Sequence, residues 1–396
     1  MERNGDGVYT MVPNVLYANQ YLDSLGMENL CILNQQNWAY VGSTTPYHYM
    51  TTQAQRDAWA DFCTYLVTEL KDYTTYYAIG NEFNLQGPGG YHPYDHYVSN
   101  HNPDNYSYYV DIVKAAYPAI KAADPNAVVV TGEVGRYEDE WIQECYDLGL
   151  ADYSDVTSYH IYEYSTGPEY YVDYLQSYND GTGNTWRAIS PWKSAQVATE
   201  FFGRYGEKAW VTETGAPSRE DNILEALPNL GMTHSEMAVF LPRYFVLMGH
   251  ELEHMFNYSF TNNNTGYFYN EDNFGVVRAH DWRTPFAAMP PYVTISALNH
   301  FTGDDDFVSV APTFIGNESD YRRRGYIVQY EKSENYPDGV IMVWKGQLAS
   351  TKKATLSIPG ATNLHVYDMW GNYQETIPNG SVFELSYEQN YIVKAN

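Results

Sequence analysis

The chain has 396 residues, of which 44% are hydrophobic and 18% charged, and its formal net charge is −27. That length calls for one large α/β domain with a smaller companion, or two to three domains; the negative field repels phosphate backbones and anionic lipid, which argues against nucleic-acid and membrane partners. No apolar run approaches the roughly 18 residues a bilayer-spanning helix needs, and a neutral ligand suits the composition better, because 41 tyrosines supply flat apolar faces that stack on the C–H faces of sugars.

In chain order, Val15, Leu16, Leu22 and Leu25 recur at helical spacing and predict a helix over residues 13–26. A buried strand over 30–33 follows and runs into a polar end at Asn34. An amphipathic helix over 51–72 delivers the chain to a second strand, 76–80, which stops on Gly80, Asn81 and Glu82. A Gly/Pro/His/Tyr-rich stretch over 85–103 reads as a wall of a binding cleft, since loops this long in compact domains are usually functional. A helix over 104–123 leads to the β-branched strand 127–131, which ends on Gly132 and Glu133. After a helix over 138–148 comes the strand 155–162, where the period of two puts Ser158, His160 and Tyr162 on one face. A stretch with Trp186 and Trp192 precedes a helix over 194–205, and the next short apolar strand, 208–212, ends on Glu213. A helix over 235–248, a last strand over 254–260 and a helix over 285–301 complete this part.

The alternation of strand and helix predicts a parallel sheet, most simply a (β/α)8 barrel. Gly303 to Asp306 marks the expected boundary between a catalytic domain, 1–302, and a small antiparallel β-sandwich, 303–396, whose short strands are expected near 326–330, 340–344, 354–358, 364–368, 382–385 and 391–393. Cys31, Cys63 and Cys145 fall inside predicted strand and helices and read as buried free thiols.

Two glutamates far apart in sequence, Glu82 and Glu213, each end an apolar strand, the place where parallel sheets carry their chemistry. Cleaving an acetal needs a proton on the leaving oxygen and stabilisation of an oxocarbenium-like centre. Two carboxyls about 5–5.5 Å apart supply both, one neutral and one charged. Ile79-Gly80-Asn81-Glu82 and Val211-Thr212-Glu213-Thr214-Gly215, with Ser158-Tyr159-His160-Ile161-Tyr162 between them, resemble the strand-end motifs of the retaining (β/α)8 glycoside hydrolases of clan A. Family 39, the β-xylosidase and α-iduronidase group, is the best match, with family 5 second.

The resemblance spans roughly residues 7–301 and implies a TIM-type barrel followed by the sandwich. It further implies Glu82 as acid/base, Glu213 as nucleophile, Asn81 as partner of the substrate 2-hydroxyl, and His160 and Tyr162 as walls of the sugar site. Asn34, Glu133 and Trp186 complete the substrate-binding candidates. The implied partner is a carbohydrate, a β-linked plant or microbial polysaccharide or oligosaccharide, with no metal and no cofactor. One departure is the last strand, His254-Met-Phe-Asn-Tyr-Ser-Phe260, which has no Trp where the clan usually keeps a sugar platform.

Two rival readings come from other classes. His250-Glu251-Leu252-Glu253-His254 formally matches the zinc-peptidase motif, which works only where both histidines share one helix face. A catalytically inactive glycan-binding protein would share the fold. Finally, Glu82 and Glu213 as the ends of strands four and seven leave six strands, three to eight, with no candidates for strands one and two. The expectation is therefore an N-terminally truncated hydrolase in which Met1 is an internal methionine and any export signal lies upstream.

Overall fold

The computed structural model describes residues 7–34, 50–87, 90–91, 105–135, 137–162, 167–169, 176–179, 185–188, 190–219, 231–262, 270–278, 287–303, 309–316 and 321–395. The chain forms two compact units, one of residues 1–161, 180–182 and 197–212, the other of 162–179, 183–196 and 213–396.

In the first unit, helix α1 (Pro13–Ser24) leads to strand β1 (Leu30–Leu33), and helix α2 (Gln53–Leu70) to strand β2 (Tyr76–Ile79). Thr52 starts α2 with a complete capping box, its hydroxyl accepting from the Gln55 amide while the Gln55 side chain accepts from the Thr52 amide. The apolar residues Trp59, Cys63, Leu66, Val67 and Leu70 recur every three to four positions and form the buried face. Helix α3 (Asn105–Ala123) packs on α2, and Trp59 Nε1 donates to the carbonyl of Ile112 at 3.2 Å.

Strand β3 (Val128–Gly135), helix α4 (Asp139–Asp147), strand β4 (Val156–Tyr162), helix α5 (Pro191–Gly203) and strand β5 (Lys208–Gly215) continue the alternation. Strands β1/β2, β2/β3 and β3/β4 pair in parallel, and the sheet order runs on through β5 to β6 (His254–Asn257). Sequential strands are thus spatial neighbours, as right-handed helical crossovers produce. Six strands in chain order make this sheet among the described residues, the six the alternation predicts. The predicted strand 127–131 runs on to Gly135 because a register shift between Thr131 and Val134 absorbs Gly132 and Glu133. The strand ending at Thr212 likewise continues to Gly215, and the one expected over 254–260 stops at Asn257.

In the second unit, Thr233 caps helix α6 (His234–Met248) with a second capping box, and α6 packs on helix α7 (Pro290–Thr302), which ends at Gly303 with φ of 74°. Beyond it the chain turns antiparallel: β7 (Ser309–Ile315), β8 (Gly325–Tyr330), β9 (Val340–Lys345), β10 (Lys352–Thr355), β11 (Asn363–Tyr367), β12 (Tyr373–Pro378), β13 (Val382–Leu385) and β14 (Asn390–Lys394). A six-stranded sheet of order β7-β8-β9-β14-β11-β12 and the pair β10-β13 enclose a core that includes Ile341, Val343, Leu356, Leu364, Val366 and Ile392. The sequence reading did not foresee β7 and β12; β12 carries almost no buried residue, so hydrophobic pattern could not announce it. Most of the expected cleft wall, 92–104, lies outside the described residues.

Candidate active site

Glu82 and Glu133 sit on two turns that share an unusual backbone. Gly80 and Gly132 have φ of 84° and 88°, and Glu82, two residues after Gly80, and Glu133, directly after Gly132, both have φ of 46°. A left-handed backbone at a non-glycine residue costs on the order of 1–3 kcal/mol and persists only where the surroundings impose it. Here they do. The Glu82 amide donates to the Glu133 carbonyl at 2.7 Å. The Asn84 side chain donates to the Gly135 carbonyl at 2.9 Å and accepts from its amide at 2.8 Å. From α3, the Tyr109 hydroxyl donates to the Ile79 carbonyl at 3.1 Å and accepts from the Gly132 amide at 2.7 Å. Burial, reinforced by the nearby Glu133 carboxyl, pushes the Tyr109 phenol well above its ordinary range, so it stays a donor. Asn105, at the start of α3, donates to the Phe83 carbonyl and accepts from Trp141 Nε1.

These contacts aim three side chains at one another. His160 Nδ1 lies 3.1 Å from Glu82 Oε1, and its Nε2 lies 3.3 Å from Glu133 Oε2. Ser158, two residues earlier on β4, donates its hydroxyl to Glu133 Oε1 at 2.5 Å. His160, Ser158 and Glu133 are fully buried, whereas the Glu82 side chain keeps 11% of its surface. Of the sequence candidates, Glu82, Glu133 and His160 therefore form one hydrogen-bonded run in the first unit. Asn81 lies half-buried on the same turn, and Asn34 is exposed at the end of β1.

The second unit holds the other pair. Tyr162, the last residue of β4, donates its phenolic proton to Glu213 Oε2 at 2.5 Å. The Tyr162 ring meets Phe274 edge-on at 5.5 Å and Tyr258 at 6.2 Å, and Tyr258 and Phe274 meet at 5.4 Å. The Tyr258 amide donates to the Thr214 carbonyl at 2.7 Å, which fixes Tyr258 beside the end of β5. Tyr258 and Phe274 escaped the sequence reading. The Tyr-Ser pair after β6 was the available signal for the first; nothing local announced the second. Trp186 lies on strand Thr185–Ala188, paired with Gln176–Asn179, and its side chain is outside the described residues.

The zinc-peptidase match fails on geometry. Helix α6 ends at Met248, His250 falls in the following turn, and His254 opens β6. The two histidines do not share a helix face, and Glu251 Oε1 accepts from Trp192 Nε1 at 3.4 Å and Gln196 Nε2 at 3.2 Å.

No protein-family model matches the chain, and no curated protein does. Among solved structures it is similar to a family 39 glycoside hydrolase from the gut symbiont Bacteroides cellulosilyticus WH2, with a TM-score of 0.72 and 19% identity over 98% of this chain and 72% of that one. It is also similar to a family 39 β-xylosidase from Caulobacter crescentus (TM-score 0.58, 12% identity, 98% and 85% covered). An α-L-arabinofuranosidase from Thermotoga maritima gives a TM-score of 0.57 at 14% identity, with 96% and 78% covered. The clan A resemblance read from the strand-end motifs thus holds at the level of fold: a TIM-barrel type α/β fold with a C-terminal antiparallel sandwich.

Proposed function

We propose that this chain is a retaining glycoside hydrolase that cleaves β-linked glycosidic bonds of an oligosaccharide or polysaccharide, with Glu213 as nucleophile and Glu82 as acid/base. The observation that carries the reading is the unlike treatment of two strand-end carboxyls. Glu213 accepts a short hydrogen bond from a phenol, which favours its charged form, while Glu82 is held in a nearly closed setting beside an imidazole. One carboxyl kept as an anion and another poised to exchange a proton are what a double displacement needs.

In that reaction Glu213 attacks the anomeric carbon while Glu82 protonates the departing oxygen. Glu82 then takes a proton from the water that hydrolyses the glycosyl-enzyme. Asn81 and Tyr162 line the sugar in this reading, whereas His160, expected there too, is fully buried behind Glu82. Asn34 and Trp186 remain proposed substrate contacts.

Glu213→Ala is expected to abolish turnover of aryl β-glycosides and to be rescued by azide, giving an α-glycosyl azide, because azide attacks once, with inversion, from the face the carboxylate would occupy. Product of the opposite anomer, or an active variant, overturns the assignment. A panel of aryl xyloside, glucoside, galactoside and arabinoside decides the sugar. A chain that binds glycans without turning over any of them is instead an inactive glycan-binding protein.

A further inference from the structure

Glu133 was expected to touch substrate, yet its carboxyl is fully buried and both of its oxygens face protein groups, Ser158 and His160. His160 is sealed as well, with a carboxyl oxygen on each ring nitrogen. An imidazole flanked in this way has its tautomer and ring orientation set by the partner that cannot move. Glu133 is that partner. Its backbone is pinned by the Glu82 amide on its carbonyl and by its own amide donating to Ser158 Oγ at 3.1 Å, and Ser158 Oγ holds Oε1. The backbone on either side of the group is closely packed: a Cβ at Gly132 would lie 2.5 Å from the Ser158 carbonyl, and one at Gly135 would lie 2.9 Å from Glu82 Oε1.

We infer that Glu133 is a positioning residue for the acid/base carboxyl: its Oε2 accepts from His160 Nε2–H, which leaves Nδ1 as the acceptor for the Oε1–H of protonated Glu82 and holds that carboxyl in place, in its acid form, until it gives that proton to the leaving oxygen. This rests on the glycosidase reading for its last step, but the tautomer and orientation of His160 stand apart from it. Tyr109 on α3 is a further titratable group beside Glu133, and burial keeps its phenol neutral. Glu133 itself meets no reacting atom, which separates it from Glu82.

Two measurements on Glu133→Gln and Glu133→Ala test this. The first is the ¹⁵N spectrum of the His160 ring, assigned by its loss in His160→Asn. The wild-type ring is expected to carry its proton on Nε2, and that preference is expected to vanish in Glu133→Ala; an unchanged tautomer in the variant overturns the proposal, with or without activity. The second is kcat/KM on one sugar with leaving groups from 2,4-dinitrophenol to an unactivated alcohol. Because acid assistance matters only for poor leaving groups, Glu133→Ala is expected to lose about 10- to 100-fold on these and to stay within about threefold on the dinitrophenyl glycoside. An equal loss on every substrate means a merely structural role. Should Glu133→Ala not fold, Ser158→Ala, which frees Oε1 of Glu133, is expected to move both readouts the same way by less; unmoved readouts there refute the proposal. A wild-type chain inert toward every glycoside fails the glycosidase reading, while the ¹⁵N result still decides the placement of His160.

Discussion

Tyr162 and Glu213 are joined by a 2.5 Å hydrogen bond from the phenol to Oε2. A hydrogen bond to a charged acceptor contributes about 1.5–3 kcal/mol, so Tyr162→Phe is expected to lower kcat about 10- to 100-fold. The edge-on contacts with Phe274 and Tyr258 need only the ring, which phenylalanine keeps, so the fold should survive. Steady-state kinetics with a matching melting curve checks this; an unchanged kcat would mean the phenol does nothing for the carboxylate.

The strand-end motifs were legible because each combines an apolar run with glycine and a carboxyl, and the period-two alternation that groups Ser158 with His160 agrees with both side chains meeting Glu133. What Glu133 faces was not legible. Its sequence neighbours resemble those of Glu82, and only the register shift in β3 turns it toward Ser158 and His160. Such a shift leaves no mark in composition or period. The strand β12 was missed for the complementary reason: pattern finds burial, and β12 is mostly exposed.

Glu207 offers a test of stability against pH away from the proposed chemistry. Burial outweighs the hydrogen bonds donated by Ser154 at 2.9 Å and Thr157 at 3.4 Å and pushes its carboxyl up to about 7 from an ordinary 4.5. The folded state therefore holds a proton that the unfolded state releases between those values. Stability from this group is full below about 4.5 and is lost as pH rises through about 7, a change on the order of 3 kcal/mol. Glu207→Gln removes the titration. Its advantage over the wild type is expected to grow between pH 5 and pH 8 in thermal melts; parallel pH curves for the two proteins would refute the assignment.

Gly132 is a position beside the proposed site where a methyl group is not tolerated. Its φ is +88°, and a Cβ there would meet the Ser158 carbonyl at 2.5 Å, backbone against backbone. Gly132→Ala is expected to destabilise the chain by at least about 2 kcal/mol and to disturb the Glu133 turn with it. A variant that melts with the wild type would show that the turn relaxes freely.

Arg243 and Glu169 supply the clearest case of a buried charge pair. Arg243 is fully buried, donates to Glu169 Oε1 at 2.5 Å and to the carbonyl of Tyr387, and lies over the rings of Tyr387, Trp344 and Phe240 at 5.1, 5.4 and 5.8 Å. Removing the cation alone leaves a carboxylate with no water and no counter-charge, so Arg243→Met is expected to cost about 3–5 kcal/mol. The penalty belongs to the stranded carboxylate more than to the lost attraction. The double variant Arg243→Met/Glu169→Gln should therefore be more stable than Arg243→Met alone, while methionine still fills the space between the three rings. Melting temperatures of the two single variants and the double close the cycle. If the double variant loses as much as the two singles added together, the pair is not energetically coupled and the rings, not the charge, hold Arg243 in place.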